Sequence, residues 1–262
     1  KTGTLTENRM SVARLDVGGE SFPCSPRGRD QLPEPFHELL EFAILSSKKD
    51  PFDPMEQALL RKGVDDLRGT EHLHRDWEHL QEYPLSRELL AMSNVWRSRA
   101  GREYIIAAKG APEAIADLCH LGAERQRELS AEVEERASEG LRVLGVAKAS
   151  FTGGDLPDGQ HDFTFTFLGL VGFADPVRKD VPGAVAECGT AGIRVVMITG
   201  DYPATAGNIG RQIHLPEGDG LVTGPELDRS DDVRIAGKIR GASIFARVVP
   251  EQKLRIVEAF KA

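Results

Sequence analysis

Three polar residues directly after an apolar run form the first pattern in this sequence that could do chemistry. Thr199, Gly200 and Asp201 follow the β-branched run Ile193–Ile198. A hydroxyl, a backbone amide and a carboxylate placed in this way can donate and accept hydrogen bonds, so they could bind a polar ligand. The residues alone equally allow a structural turn in which Asp201 is the N-cap of the next helix.

A second pattern, KGAPE, lies in the middle of the chain. It places Lys109 at a predicted strand end, Gly110 where a backbone can be approached closely, and Pro112 at the first position of a helix. A site built in this way can admit a flat ligand.

The segment DPME contains an acidic residue with two possible roles. Asp53 as N-cap, Pro54 at the first helical position and Glu56 reaching back together make a well-formed capping box. Glu56 is also a candidate ligand contact, and both roles can hold at once.

Two common phosphate-binding motifs are absent from the sequence. The run KTGT at residues 1–4 is not a Walker A loop, because the spacing G-x-x-x-x-G-K-[ST] occurs nowhere, and no G-x-G-x-x-G follows a predicted strand. Phosphate binding by either device is therefore excluded.

Composition is that of a soluble folded chain with room for two domains. The 262 residues are 40% hydrophobic and 28% charged, with a formal net charge of -8 that disfavours nucleic acid and polybasic membrane contacts. No run approaches the roughly 18 apolar residues of a membrane span. The three cysteines, Cys24, Cys119 and Cys188, are widely separated, which favours buried thiols over disulfides or a zinc site.

The elements that must position the first triplet alternate between helix and strand. Helices are predicted at VPGAVAECGTAG, at YPATAGNIGRQI with Pro203 near its first turn, and at PEQKLRIVEAFKA. Strands are predicted at Ile193–Ile198 and at ASIFAR. This alternation predicts a doubly wound α/β layer.

The middle of the chain instead predicts sequential strands. A hairpin near Ala100 and Gly101 is followed by strands at LRVLGVAKAS and FTFTFLGLVGF, with helices at PFHELLEFAILSS and AERQRELSAEVEERASEG, the latter stopped by Gly140. We therefore expect an α+β domain on an antiparallel sheet at residues 9–174. Residues 1–8 and 175–262 are expected to form the flanking α/β domain.

Five motifs in order give the sequence a family resemblance. KTGTLTENRM, KGAPE, DPVRKDV, MITGD and FARVVPEQK resemble the cytoplasmic loop of a P-type cation-transporting ATPase. The resemblance implies a haloacid-dehalogenase-like phosphorylation domain with an inserted nucleotide-binding domain, and it implies ATP and Mg²⁺ as cofactors. Further expected partners are the transmembrane and actuator domains of the same parent chain and the transported cation.

The resemblance also implies roles for particular residues. The phosphorylation site would use the Thr2 carbonyl on Mg²⁺, the Thr199 hydroxyl and the Gly200 amide on phosphoryl oxygens, and Lys253 as the balancing cation, with Lys1 and Asp201 close by. Adenine would be bordered by Lys109 and Gly110, and by Glu56 if it makes that contact. The remaining nucleotide contacts implied are Leu85, Arg87, Arg142, Asp175, Arg178 and Arg247.

One segment departs from the family pattern. YPLSRELLAMSNV has Leu85 where the family usually has a phenylalanine that stacks on adenine, and Leu90 where it often has a lysine. Ser86, Arg87 and Met92 match the pattern. Weaker nucleotide binding is expected, and a core strand remains an alternative interpretation for Leu89 and Leu90.

Two family elements lie outside the sequence. In the family an aspartate that attacks the γ-phosphate precedes KTGT, and a Gly-Asp-Gly-x-x-Asn-Asp segment with magnesium carboxylates follows later. The resemblance therefore implies that these 262 residues by themselves turn over little ATP. The whole protein is expected to be a membrane protein with this segment on the cytoplasmic side.

The branch of the family and two rival functions complete the interpretation. The long insertion and the absence of a His-Pro pair resemble the type II, calcium-pump-like branch, and calcium is the leading ion. A soluble haloacid-dehalogenase-like phosphatase is one rival, although such enzymes place a general-acid aspartate where this chain has Thr2. A non-catalytic ATP-binding module is the other.

Overall fold

The computed structural model describes residues 3–24, 31–74, 76–86, 88–98, 103–216, 220–229 and 232–261. Lys1, Thr2 and Arg87 of the predicted site lie outside the described residues, as do Ala100 and Gly101 of the predicted hairpin turn. The chain divides into two compact units. Unit 1 comprises Lys1–Arg9, Glu134–Arg142 and Asp175–Ala262, and unit 2 comprises Met10–Val133 and Val143–Ala174.

Unit 2 is built on a seven-stranded sheet. Its strands are β1 (Ser11–Val17), β2 (Glu20–Pro23), β3 (Glu78–Tyr83), β4 (Ala91–Arg97), β5 (Tyr104–Gly110), β6 (Arg142–Phe151) and β7 (Thr166–Ala174). Their order across the sheet is β2-β1-β7-β6-β5-β4-β3. The pairings β1–β2, β1–β7, β3–β4, β4–β5 and β5–β6 are antiparallel, which confirms the antiparallel sheet predicted for this region.

Four helices accompany this sheet: α1 (His37–Leu45), α2 (Pro54–Asp66), α3 (Pro112–Leu118) and α4 (Ala123–Ser138). The residues predicted as the apolar stripe of α1 are buried: Leu39, Leu40 and Ala43, with Phe36 just before the helix. They join a core that includes Leu15, Leu59 and Phe173. Burial extends beyond that stripe, because Glu41, Phe42 and Leu45 are buried as well. Gly140 has a φ of 88°, so it follows α4 as the left-handed glycine that commonly ends a helix.

Unit 1 contains a small parallel sheet. Its strands are β8 (Met197–Ile198), β9 (Leu221–Thr223) and β10 (Ile244–Ala246), in the order β8-β10-β9. The helices are α5 (Val181–Thr190), α6 (Pro203–Gln212), α7 (Gly224–Arg229), α8 (Asp232–Gly241) and α9 (Pro250–Lys261). Both pairings of β10 are parallel, as expected where helices connect successive strands.

Two details of the sequence interpretation are corrected. The strand predicted over Ile193–Ile198 is only Met197–Ile198, because Ile193 and Arg194 are exposed and only the last two residues pair with β10. Among the cysteines Cys24 is buried as expected, whereas Cys119 and Cys188 are partly exposed. Within the described residues no helix is long and apolar enough to cross a membrane.

Candidate functional site

The centre of the unit 2 site is a buried ion pair between Lys109 and Glu56. The Lys109 Nζ atom lies 2.6 Å from Glu56 Oε1, and both residues are only 6% exposed. The ammonium also donates to the Ser46 carbonyl at 2.7 Å and to Ser47 Oγ at 2.8 Å. Three donors on an ammonium thus have three acceptors, which is the full hydrogen-bonding capacity of a lysine.

Burial dominates the electrostatics of this pair. Removal of the ammonium from water lowers the pKa of Lys109 below its ordinary value, and the Glu56 carboxylate partly opposes that shift. Any ligand atom that accepts a hydrogen bond from Lys109 must replace one of the three acceptors.

Local sequence explains how Glu56 reaches Lys109. Asp53 is the N-cap of α2, as predicted, because its Oδ1 accepts hydrogen bonds from the amides of Met55 and Glu56 at 2.8 and 3.2 Å. The reciprocal half of the predicted capping box is wrong: Glu56 does not reach back but accepts from Lys109 and, at 3.4 Å, from the amide of Lys48. A buried ammonium is the stronger partner for a carboxylate.

Gly110 leaves room for the backbone of a neighbouring strand. A Cβ atom at this position would lie 2.4 Å from the Leu90 carbonyl oxygen and 2.6 Å from the Ala91 Cα atom. The close backbone approach is therefore to β4 and its preceding residue, and a ligand is not needed to explain the glycine. The amide of Ala111 donates to the same Leu90 carbonyl at 2.9 Å.

The two leucines at the departures from the family pattern face solvent. Leu85 is 58% exposed and Leu90 is 41% exposed, so a core strand is the wrong interpretation for Leu90. Leu89, in contrast, is partly buried and packs against the core that contains Tyr83 and Ile115. Leu85 and Leu90 lie in the connection between β3 and β4, and because Ala91 pairs with Gly110 this connection is at the end of the sheet where β5 reaches Gly110.

Unit 1 brings together Thr199, Asp201 and Arg247. The Thr199 hydroxyl donates to Asp201 Oδ2 at 2.9 Å and accepts from the Asp201 amide at 3.1 Å. The Arg247 amide donates to the Asp201 carbonyl at 3.0 Å. Asp201 is not an N-cap, since the N-cap of α6 is Tyr202 and no side chain caps that helix. The predicted N-cap role of this aspartate is therefore wrong, and its two hydrogen bonds with Thr199 stabilise the bend that follows β8.

Arg247 adopts a backbone conformation that few non-glycine residues use. Its φ is 53°, and its guanidinium carbon lies 3.7 Å from the centre of the Tyr202 ring. A strained residue of this kind persists where the surrounding structure determines it, and such residues concentrate at functional sites. Tyr202 was not singled out from the sequence, although an aromatic residue directly after Thr199–Asp201 is a visible signal.

Gly200 is not required by the fold. A Cβ atom there would meet only the Val248 carbonyl oxygen, at 3.8 Å, which is an ordinary contact. Lys253 is exposed in the first turn of α9, where its amide donates to the Val249 carbonyl at 3.2 Å. Among the described residues, no group of three or more His, Cys, Asp or Glu residues could hold a metal ion.

The remaining predicted residues lie around the segment that enters unit 1. Arg178 is exposed, with its Nε 3.5 Å from Asp180 Oδ1, and its amide donates to the Leu5 carbonyl. Both carboxylate oxygens of Asp175 are buried without a hydrogen-bond partner in the described part of the chain. Arg142 is half-buried at the start of β6.

Sequence reasoning also missed the partners of Lys109. Ser46 and Ser47 follow α1 directly, and both hydroxyls donate to the Ala43 carbonyl. The signal was present as the polar run SSKKD after an apolar helix. Nothing in that run, however, indicates that a lysine 62 residues after Ser47 would need its oxygens.

Comparison with known proteins identifies relatives that match the whole chain. The calcium-transporting ATPase of Bacillus subtilis is 30% identical over 297 residues, which cover all of this chain and 33% of that protein. The calcium-transporting ATPase of Listeria monocytogenes is 32% identical over 286 residues, again across the whole chain and 32% of that protein. Calcium-transporting ATPase 1 of Saccharomyces cerevisiae is 30% identical and is covered over 31% of its length.

The chain therefore spans about a third of the length of the curated relatives it matches. Residues 48–180 match the family described as P-type ATPase, cytoplasmic domain N. This match covers just over half of the chain and includes Glu56, Lys109 and the β3–β4 connection. The chain belongs to the P-type ATPases and is similar to their calcium-transporting, type II members.

Proposed function

We propose that this chain is the ATP-binding and phosphorylation region of a P-type ATPase that couples ATP hydrolysis, through an aspartyl phosphate, to cation transport across a membrane. The observation that carries the proposal is the convergence of Glu56, Lys109 and Gly110 at one end of the sheet in the region that matches domain N. Calcium is the favoured ion because the relatives named above are calcium-transporting ATPases.

ATP is the proposed ligand of unit 2. Lys109 and Glu56 would border the adenine ring, with one of their present hydrogen bonds replaced by a hydrogen bond to the base. Leu85 would cover part of the ring by dispersion. Arg142 and Arg178 would reach the polyphosphate, Asp175 would belong to the hinge motif beside Arg178, and Arg87 would be a further nucleotide contact.

Unit 1 is the proposed phosphorylation domain, with a haloacid-dehalogenase-like fold. Its parallel strands joined by helices support that assignment. Thr199, Gly200 and Lys253 would contact the phosphoryl oxygens, and Arg247 would contact the nucleotide. Mg²⁺, when bound, would neutralise charge on those oxygens. The Thr2 carbonyl is proposed to bind the metal with Asp201 close by, and Lys1 is a further proposed catalytic residue.

The proposed domain limits are residues 1–8 and 175–262 for phosphorylation and 9–174 for nucleotide binding. The proposed location is the cytoplasmic side of a membrane protein, with the transmembrane and actuator domains of the same parent as partners. Low turnover by these 262 residues alone stays a prediction, which incubation with γ-labelled ATP and acid precipitation would test.

An amide-shift titration with Mg·ATP tests the nucleotide site directly. We expect a dissociation constant on the order of millimolar, or about -4 kcal/mol, because Leu85 cannot stack on the base as an aromatic ring would. Amide shifts should concentrate at Glu56, Lys109 and Gly110. Saturating shifts elsewhere in unit 2, with these three amides unmoved, would refute the proposed site.

A further inference from the structure

An almost fully exposed aromatic ring lies in the loop beside the ion pair. Phe52 is 95% exposed, the largest exposed fraction among the large apolar side chains of the described residues. A phenylalanine left in water forgoes the free energy that burial would supply. A single exposed leucine would need no explanation, but a ring presented in full at a binding site suggests an apolar ligand face.

The loop that carries Phe52 is held at both ends. At its start, the Lys48 amide donates to Glu56 Oε2 at 3.4 Å, and Lys48 Nζ lies 3.7 Å from Glu82 Oε1 at the end of β3. Near its end, Gln57 Nε2 donates to the Pro51 carbonyl at 3.2 Å. Prolines at positions 51 and 54 further restrict the backbone, so little conformational entropy is lost when the ring receives a ligand.

Three exposed apolar side chains belong to segments that meet at Lys109. Phe52 lies between Ser47 and Glu56, both of which bind the Lys109 ammonium. Leu85 and Leu90 lie in the β3–β4 connection, and the Leu90 carbonyl accepts a hydrogen bond from the amide of the residue after Gly110. The buried ion pair thus has an exposed apolar border contributed by two separate loops.

We propose that Phe52 covers one face of the purine base of a nucleoside triphosphate bound at the Lys109–Glu56 site. This inference rests on the proposed function of that site. Adenine is flat and offers a π face to an aromatic ring, whereas the leucines offer only dispersion. Phe52 therefore supplies, from the loop before α2, the stacking that Leu85 lacks.

The test compares Phe52→Ala with a matched control variant. Val64→Ala truncates another exposed apolar side chain of unit 2, 50% exposed and ten residues beyond Pro54 on α2, or about 15 Å along the helix. Both variants leave the core intact. The probes are Mg·ATP and Mg·tripolyphosphate, which carries the phosphates without a base, each titrated by amide shifts and calorimetry.

We expect Phe52→Ala to weaken Mg·ATP binding by about three- to tenfold and to leave tripolyphosphate binding unchanged. Val64→Ala should bind both probes as the unchanged protein does. The aromatic protons of Phe52 should shift on addition of ATP and not on addition of tripolyphosphate. Adding Leu85→Phe to the Phe52→Ala variant should restore part of the lost affinity.

Two results would overturn this proposal while the proposed function stands. In the first, Phe52→Ala binds ATP with unchanged affinity and shows the normal amide shifts at Glu56 and Lys109. In the second, Phe52→Ala and Val64→Ala weaken ATP binding to the same extent. If the unchanged protein shows no ATP-dependent shifts at Glu56, Lys109 and Gly110, the proposed function fails first and the role of Phe52 falls with it.

Discussion

Replacing Lys109 by methionine tests whether the buried ion pair is a structural requirement of unit 2. Methionine keeps the unbranched apolar stem and removes the ammonium, so the change leaves the Glu56 carboxylate buried with the Lys48 amide, at 3.4 Å, as its remaining described donor. Removing one partner of a buried ion pair typically lowers the free energy of unfolding by about 3 to 5 kcal/mol, because the other charge is left buried without compensation. We expect a loss of that size in the free energy of unfolding of unit 2.

A double-mutant cycle separates the pair from the packing around it. Glu56→Met alone leaves an ammonium buried with two neutral acceptors, and we expect a cost of about 3 kcal/mol or more. The double variant, Lys109→Met with Glu56→Met, buries no charge and should lose less than either single variant. The coupling energy should therefore exceed about 3 kcal/mol in favour of the native pair.

Tryptophan fluorescence makes the measurement specific to unit 2. The sequence has two tryptophans, Trp77 and Trp96, and both belong to that unit. The Trp96 indole donates to the Leu45 carbonyl at 2.8 Å, one residue before Ser46, so its emission reports on the backbone that holds the ammonium. Urea titrations of the four proteins give the free energies and show whether the m values stay equal.

Two outcomes would refute this reasoning. A cost of less than about 1 kcal/mol for Lys109→Met would mean that the pair contributes no more than an exposed salt bridge does. Additive costs of the two single changes would mean that Lys109 and Glu56 do not depend on one another. In either case, loss of ATP binding by Lys109→Met could be ascribed to the ligand contact alone.

Three further predictions follow from glycine geometry, thiol burial and the Lys109 charge. Gly110→Ala should destabilise unit 2 by about 1 to 3 kcal/mol, since its Cβ would meet β4 backbone, whereas Gly200→Ala should stay within about 0.5 kcal/mol. If this reasoning is wrong, thermal melts followed by circular dichroism would show Gly200→Ala to be less stable than Gly110→Ala. Burial raises the pKa of Cys24 to about 11 and that of Cys119 to about 12. Both thiols should therefore react slowly with iodoacetamide at pH 8, because little thiolate is present. Rapid labelling of either cysteine in a peptide map would contradict this prediction. Burial lowers the pKa of Lys109 in the folded state below its unfolded value of about 10.5. Between these two pKa values the unfolded state binds more protons than the folded state does. The free energy of unfolding should therefore rise with pH across this interval, compared with that of Lys109→Met. Parallel urea titrations of the two proteins from pH 7 to 10 would show no divergence if the ammonium were not desolvated.

Local sequence patterns were sufficient for most elements of the fold. The stripe of α1, the Asp53 cap, the β4–β5 hairpin and the helix–strand alternation after Asp175 all depend on residues near one another in the chain. Ordered motifs were likewise sufficient to indicate the family, which the match at residues 48–180 confirms. The strand at Ile193–Ile198 was predicted too long because apolar β-branched residues indicate burial, and Ile193 turned out to be exposed.

Partnership between distant residues could be decided only by the tertiary structure. Glu56 had two possible partners in sequence, its own helix N-terminus or a ligand, and it took a third, an ammonium 53 positions away. Gly110 was predicted to allow a close backbone approach, and only the structure shows that β4 and the residue before it make that approach. Periodicity and capping depend on residues a few positions apart, so they can be predicted from the sequence. A buried charge takes whichever opposite charge the packed core brings within hydrogen-bonding distance, and only the folded backbone determines that choice.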